Sequence, residues 1–213
     1  MADESLSDLL GGRRAALDAS APVAGFLAGW LATGHSIAWG SAAAVLVALA
    51  MAAWRLRRGD RPGAVLIGLL GVCVAALVAL RTGRAEDFFL IRLLTNGASA
   101  LAWAVSIVIR WPLLGLVVGG VLGQRTSWRR DPALLTAYQK GSWVWVLQYV
   151  VRLAVFLPLY AAGQVVALGV AQIALTWPLV AAVIAVSWWV IRRSLPAGHP
   201  GLRHPQIPEN AVH

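Results

Sequence analysis

Charge is what this sequence has least of. Only 13% of its residues are Asp, Glu, Lys or Arg, about half the share that covers the water-facing surface of a soluble domain. With 59% hydrophobic residues and a mean hydropathy of +0.72, a soluble globular fold is excluded. Acidic residues are scarcer still, 9 against 18 Lys plus Arg, for a net charge of +9. Cysteine is nearly absent. Cys73 stands alone inside an apolar run, which rules out an intrachain disulfide and leaves no zinc ligand set, so it reads as a small buried hydrophobe. The first 18 residues carry Asp3, Glu4 and Asp8 where a signal peptide would carry a basic segment, so no cleavable leader is expected. Catalytic constellations are missing too. There are no paired carboxylates within an apolar run, no Ser/His/Asp set, no HExxH and no GxxxxGK, so neither an enzyme nor a cofactor or metal site is expected.

What the sequence does have is long apolar runs. A bilayer core of about 30 Å takes about 20 helical residues to cross. Residues 19–54 form one run with a polar break at Thr33-Gly34-His35-Ser36, which fits two spans, the first of them short. Residues 63–80, 88–109 and 142–162 give the third, fourth and fifth spans, and 164–191 a loop plus a sixth, kinked at Pro178. The 14 residues of 111–124 are too short to cross and read as a re-entrant or surface-lying segment. The expected fold is therefore all-α: a polytopic transmembrane bundle of about six spans plus one short re-entrant or interfacial segment. Residues 1–18 form a cytoplasmic or interfacial lead-in, 19–193 the membrane domain and 194–213 a disordered tail. The tail's His199, His204 and His213 are read as solvated rather than as ligands.

Basic residues cluster just outside the apolar runs, as at Arg55, Arg57, Arg58, Arg192 and Arg193. That pattern sets topology and gives no indication of nucleic-acid binding. With 111–124 not crossing, 14 of the 18 basic residues fall on one side, which places both termini in the cytoplasm of a bacterial inner membrane. Tryptophans at span ends (Trp54, Trp111, Trp128, Trp143, Trp188, Trp189) read as an aromatic belt.

An ionisable group in mid-membrane is costly and points to function or to a buried partner. Arg152 lies ten residues into the fifth span, about 15 Å deep at 1.5 Å per residue. Gln148 precedes it by one turn, and Arg92, Asn96, Ser99 and Trp103 share one stripe of the fourth span. Asp18 is one of few anions near a span end. Asp18, Arg92, Asn96, Gln148 and Arg152 make up the candidate polar cavity, for an anion or a lipid phosphate; the alternative is structural hydrogen bonding between helices. The four-residue spacings Gly25/Gly29 and Gly115/Gly119/Gly123 allow close helix approach, within the chain or in a homo-oligomer.

The residues Gly11-Gly12-Arg13, Asp18, Pro22, Phe26, Arg81-Thr82-Gly83, Phe88-Phe89, Asn96, Trp111-Pro112, Trp128-Arg129-x-Asp131 and Arg152 resemble an actinobacterial family of membrane proteins catalogued as DUF3159, over residues 8–193. They lie in loops and span ends, where apolar bias does not generate them. The spacing of the fourth and fifth spans around the basic Trp128-Arg129-Arg130 linker is more distantly similar to bacterial intracellular septation protein A, an inner-membrane protein of cell division and envelope maintenance. Neither resemblance carries catalytic residues. Two functions are expected from the sequence. One is a non-enzymatic envelope or lipid-organising protein with bilayer, anionic-lipid or envelope-protein partners; the other is a small transporter or channel for an anionic or amphiphilic solute.

Overall fold

The computed structural model describes residues 12–124, 126–196 and 198–202, with side chains from residue 20 onward. Among them are eight α-helices: α1 (Gly12–Ala32), α2 (Ile37–Arg57), α3 (Pro62–Thr82), α4 (Leu90–Val108), α5 (Leu113–Val121), α6 (Pro132–Ala161), α7 (Val165–Ala174) and α8 (Trp177–Ser194). Two 3₁₀ turns, Ala85–Phe89 and Ser127–Arg130, precede α4 and α6. Five helical stretches are long and apolar enough to cross a membrane: Ile37–Arg57, Pro62–Thr82, Ala85–Val108, Pro132–Ala161 and Val165–Ser194. Their outer faces are greasy. Ile67 is 74% exposed and Leu101 67%, which makes sense only where the surrounding solvent is hydrocarbon. The chain is a multi-pass helical membrane protein.

Helix α1 has 21 residues, as many as α2 and α3, and its apolar part within the residues whose side chains are described is Ser20–Ala32. Helix α5 has nine residues, about 13.5 Å of rise, so it does not cross. The last stretch is interrupted just before Pro178, the residue at which a kink was expected. The chain turns at Leu175 and Thr176, and Pro178 sits in the first turn of α8, where a missing N–H costs nothing.

The chain divides into two compact units. The first comprises Met1–Leu94 with Ala154–Trp177. In it, α1 and α2 pack through small residues: α2 buries Gly40, Ser41, Ala44, Ala48 and Ala52 at helical spacing. A β-carbon on Gly29 would stand 2.7 Å from the Trp39 carbonyl oxygen and 2.8 Å from Ala43 Cβ. Gly25 and Gly29 therefore serve a contact within the chain. Gly29→Val is expected to destabilise the folded protein by about 1–3 kcal/mol, since backbone cannot yield as a side chain can; thermal unfolding in detergent measures it. Above this contact Phe26 stacks on Phe88 at 4.1 Å and meets Phe89 edge-on. Gly83 closes α3 in the left-handed region (φ 69°) and returns its N–H to Ala79, which aims the 3₁₀ turn. There Arg84 pairs with Glu86 at 2.9 Å, and the Tyr160 hydroxyl donates to the buried Asp87 carboxylate.

The second unit comprises Thr95–Leu153 with Pro178–His213. Its core is Leu114, Trp128, Leu134, Ala137, Tyr138 and Ile191. Trp128 is fully buried, in contrast to the belt position expected for it; its ring lies where a β-carbon on Gly115 would be, 2.7 Å away, and meets Tyr138 edge-on. Helix α6 begins ten residues before the expected fifth span. Asp131 Oδ1 accepts the N–H groups of Ala133 and Leu134, capping a first turn that opens on Pro132. The tail is also more ordered at its start than expected. His199 Nε2 lies 2.9 Å from Asp131 Oδ2, with both side chains buried, and Gln124 donates to the Leu202 carbonyl. A carboxylate and a backbone carbonyl thus fix residues 198–202. Residues 203–213, with His204 and His213, and the lead-in before residue 12 lie outside the described residues.

Candidate functional site

Helix α4 is the most amphipathic of the spans. Leu94, Leu101, Val105 and Val108 point outward, while Asn96, Ser99, Trp103 and Ser106 recur at i, i+3, i+7 and i+10 on the covered face. Helix α6 has the matching face. Tyr138, Ser142, Trp145, Gln148 and Arg152 follow at steps of four, three, three and four residues, and all are buried or half-buried. Between the first and last of them α6 rises about 21 Å.

The two faces meet. Trp103 stacks on Trp145 at 4.9 Å with planes 6° apart, and Gln139 Nε2 donates to the Ile107 carbonyl. As α4 descends from 107 to 103, α6 ascends from 139 to 145, so the helices run antiparallel. Seven residues further along each, the same register puts Asn96 level with Arg152. On the other side of α6, the Ser187 hydroxyl of α8 donates to the Gly141 carbonyl at 3.5 Å.

The seam between α4 and α6 is polar and under-satisfied. Asn96 Nδ2, Tyr138 OH, Ser142 Oγ, Trp145 Nε1 and Gln148 Oε1 are all buried and find no hydrogen-bond partner among the described residues. Each such atom costs about 1–3 kcal/mol when left dry, so five together would consume about the whole stability of a typical domain. Four of the five can donate a hydrogen bond, and only Gln148 Oε1 is purely an acceptor. Arg152 adds a buried cation at the far end. Carboxylates are almost absent: within Thr95–Leu153 the only one is Asp131, already occupied by the α6 cap and His199. Because most of these atoms are donors, hydrogen-bond acceptors are the chemical complement of the seam.

Of the five residues expected to line a polar cavity, Asn96, Gln148 and Arg152 belong to this seam. Arg92 lies one turn before Asn96 but within the first unit, half-buried. The backbone of Asp18 is in α1, and its side chain is outside the described residues. Tyr138, Ser142 and Trp145 were missed. Stepping back along α6 from Arg152 by helical turns would have found them; starting the span at Ser142 left out Tyr138. Among the described residues no group of three or more His, Cys, Asp or Glu is placed to hold a metal ion.

A family model described as a protein of unknown function, DUF3159, matches residues 10–198. The chain belongs to the DUF3159 family. No curated protein and no solved structure matches it.

Proposed function

We propose that this DUF3159 protein binds an anionic or amphiphilic solute in the seam between α4 and α6, as a small transporter or channel of a bacterial inner membrane. One observation carries the proposal: a file of buried side chains, mostly hydrogen-bond donors, that ends on Arg152 in the middle of a span. Proteins tolerate such groups in a bilayer where they line a path or a site. With α1 as the first of six crossings, 14 basic residues fall on one side and support cytoplasmic termini. No covalent chemistry is assigned to the seam.

Asn96→Leu combined with Gln148→Leu tests this. Removing both side chains at once is expected to leave the fold about as stable, because the Asn96 Nδ2 and Gln148 Oε1 atoms taken away have no hydrogen-bond partner among the described residues. In proteoliposomes the parent protein is expected to admit inorganic phosphate, a short-chain carboxylate or a lysophospholipid, and the double variant is expected to lose that flux. Equal flux through both proteins would end the proposal.

A role in organising the envelope is supported by a different observation. Three Trp–Arg pairs at i, i+4 stand at helix C-termini: Arg58 over Trp54 at 4.0 Å, Arg192 over Trp188 at 5.4 Å and Arg193 over Trp189 at 4.7 Å. Indole and guanidinium stacked at the interface hold the helix ends among anionic head groups. In this role the protein is non-enzymatic and acts through lipid or envelope partners. Deletion should then alter cell shape, with a fluorescent fusion concentrated at particular envelope sites; a uniform distribution and normal morphology would count against it.

A further inference from the structure

We infer that the corner between α4 and α5 is a binding site for one anionic phospholipid, separate from the seam. An apolar groove of about 540 Å³ lies inside that corner, walled by Ala102, Val105 and Ile109 of α4 and by Leu113 and Leu116 of α5, with Trp111 at its end. Val105 and Ile109 are more than half exposed, so in a bilayer the groove opens onto hydrocarbon.

The corner is preformed. Arg110 adopts a left-handed backbone (φ 58°), which turns the chain out of α4. Trp111 N–H then bonds back to the Ser106 carbonyl at 2.9 Å, and Leu113 N–H to Ser106 Oγ at 3.3 Å. Pro112 completes the turn before α5. At this end of the groove the charge is wholly positive. The Arg129 guanidinium sits 3.8 Å over the Trp111 ring, and its Nε finds no hydrogen-bond partner among the described residues. Arg110 is exposed beside Trp111 in the chain, and Arg130 is exposed next to Arg129. The neighbouring carboxylate, Asp131, points into the α6 cap and at His199.

A hydrocarbon groove ending in cations matches a phospholipid: an acyl chain along α4 and α5, and a phosphate against Arg129 and Arg110. Arginine held over indole gives up little water or freedom when it takes a phosphate. A second copy of this chain fits poorly, because a protein of net charge +9 would bring more positive charge to a positive corner.

Purified protein in a neutral detergent, titrated with phosphatidylglycerol or phosphatidylcholine of the same chains, provides the test by native mass spectrometry and thermal shift. Phosphatidylglycerol is expected to be retained preferentially, and each arginine removed should cut that preference about fivefold. Arg129→Gln removes the stacked cation. Arg110→Asn removes the other while keeping a residue that accepts the left-handed backbone, so a misfolded Arg129 variant would not leave the question open. Equal retention of both lipids would overturn the assignment, as would a preference untouched by Arg110→Asn. So would equal stabilisation by soluble glycerol phosphate, which has the head group without the chain.

Discussion

Replacing Arg152 with leucine is expected to weaken binding of whichever anionic probe the protein takes by about 30-fold or more. This follows from what a desolvated cation contributes to an anion: losing one charged partner of a buried pair costs about 2–5 kcal/mol, and the lower figure is already a factor of about 30. Arg152→Lys keeps the charge but loses the planar fork that grips two oxygens at once, so its affinity should lie between the two. Isothermal titration, with melting curves for all three proteins, separates the outcomes. Unchanged affinity in Arg152→Leu would remove the anion from the seam; a large fall in melting temperature with affinity intact would make Arg152 a structural residue.

Trp128→Ala is expected to have the largest effect on stability, a loss of about 3–5 kcal/mol. The indole is fully buried, covers Gly115, and meets Tyr138 edge-on among Leu114, Leu134 and Ile191. The space cannot collapse easily, because α5 already approaches as closely as Gly115 allows. For a chain of this length that loss is about 6–20 °C in melting temperature. Trp143→Ala is the control, since Trp143 is 53% exposed and its replacement should move stability by no more than about 0.5 kcal/mol. If both variants melt together, the packing around Gly115 is not what holds this region.

The contrast between those two tryptophans shows what could be read from the sequence. Both stand near span ends, and both were expected in the aromatic belt. What separates them is a partner 13 residues before Trp128, Gly115, whose missing side chain makes room for the ring; hydropathy cannot register that. Helices α2, α3 and α4 were legible because their apolar runs are bounded by Gly, Pro and Arg. The start of α6 was not, since its first ten residues are amphipathic and the Asp131-Pro132 cap signal carries no hydropathy. The seam was half legible. Asn96, Gln148 and Arg152 stand out as polar residues in apolar sequence. Tyr138 and Trp145 do not, because an aromatic residue looks apolar until its one polar atom is seen to lack a partner.

The pairing of Asp131 with His199 has a consequence for how the chain is made. Gly201 N–H donates to His199 Nδ1 at 3.0 Å, so the ring's proton is on Nε2 and is given to Asp131 Oδ2. The carboxylate that starts α6 is therefore completed by a residue 68 positions later. While the ribosome is still adding α8, the first turn of α6 has its own two amide donors but not the imidazole. That helix must enter the bilayer with its opening turn only partly secured, and the last stitch is made once translation has passed Gly201.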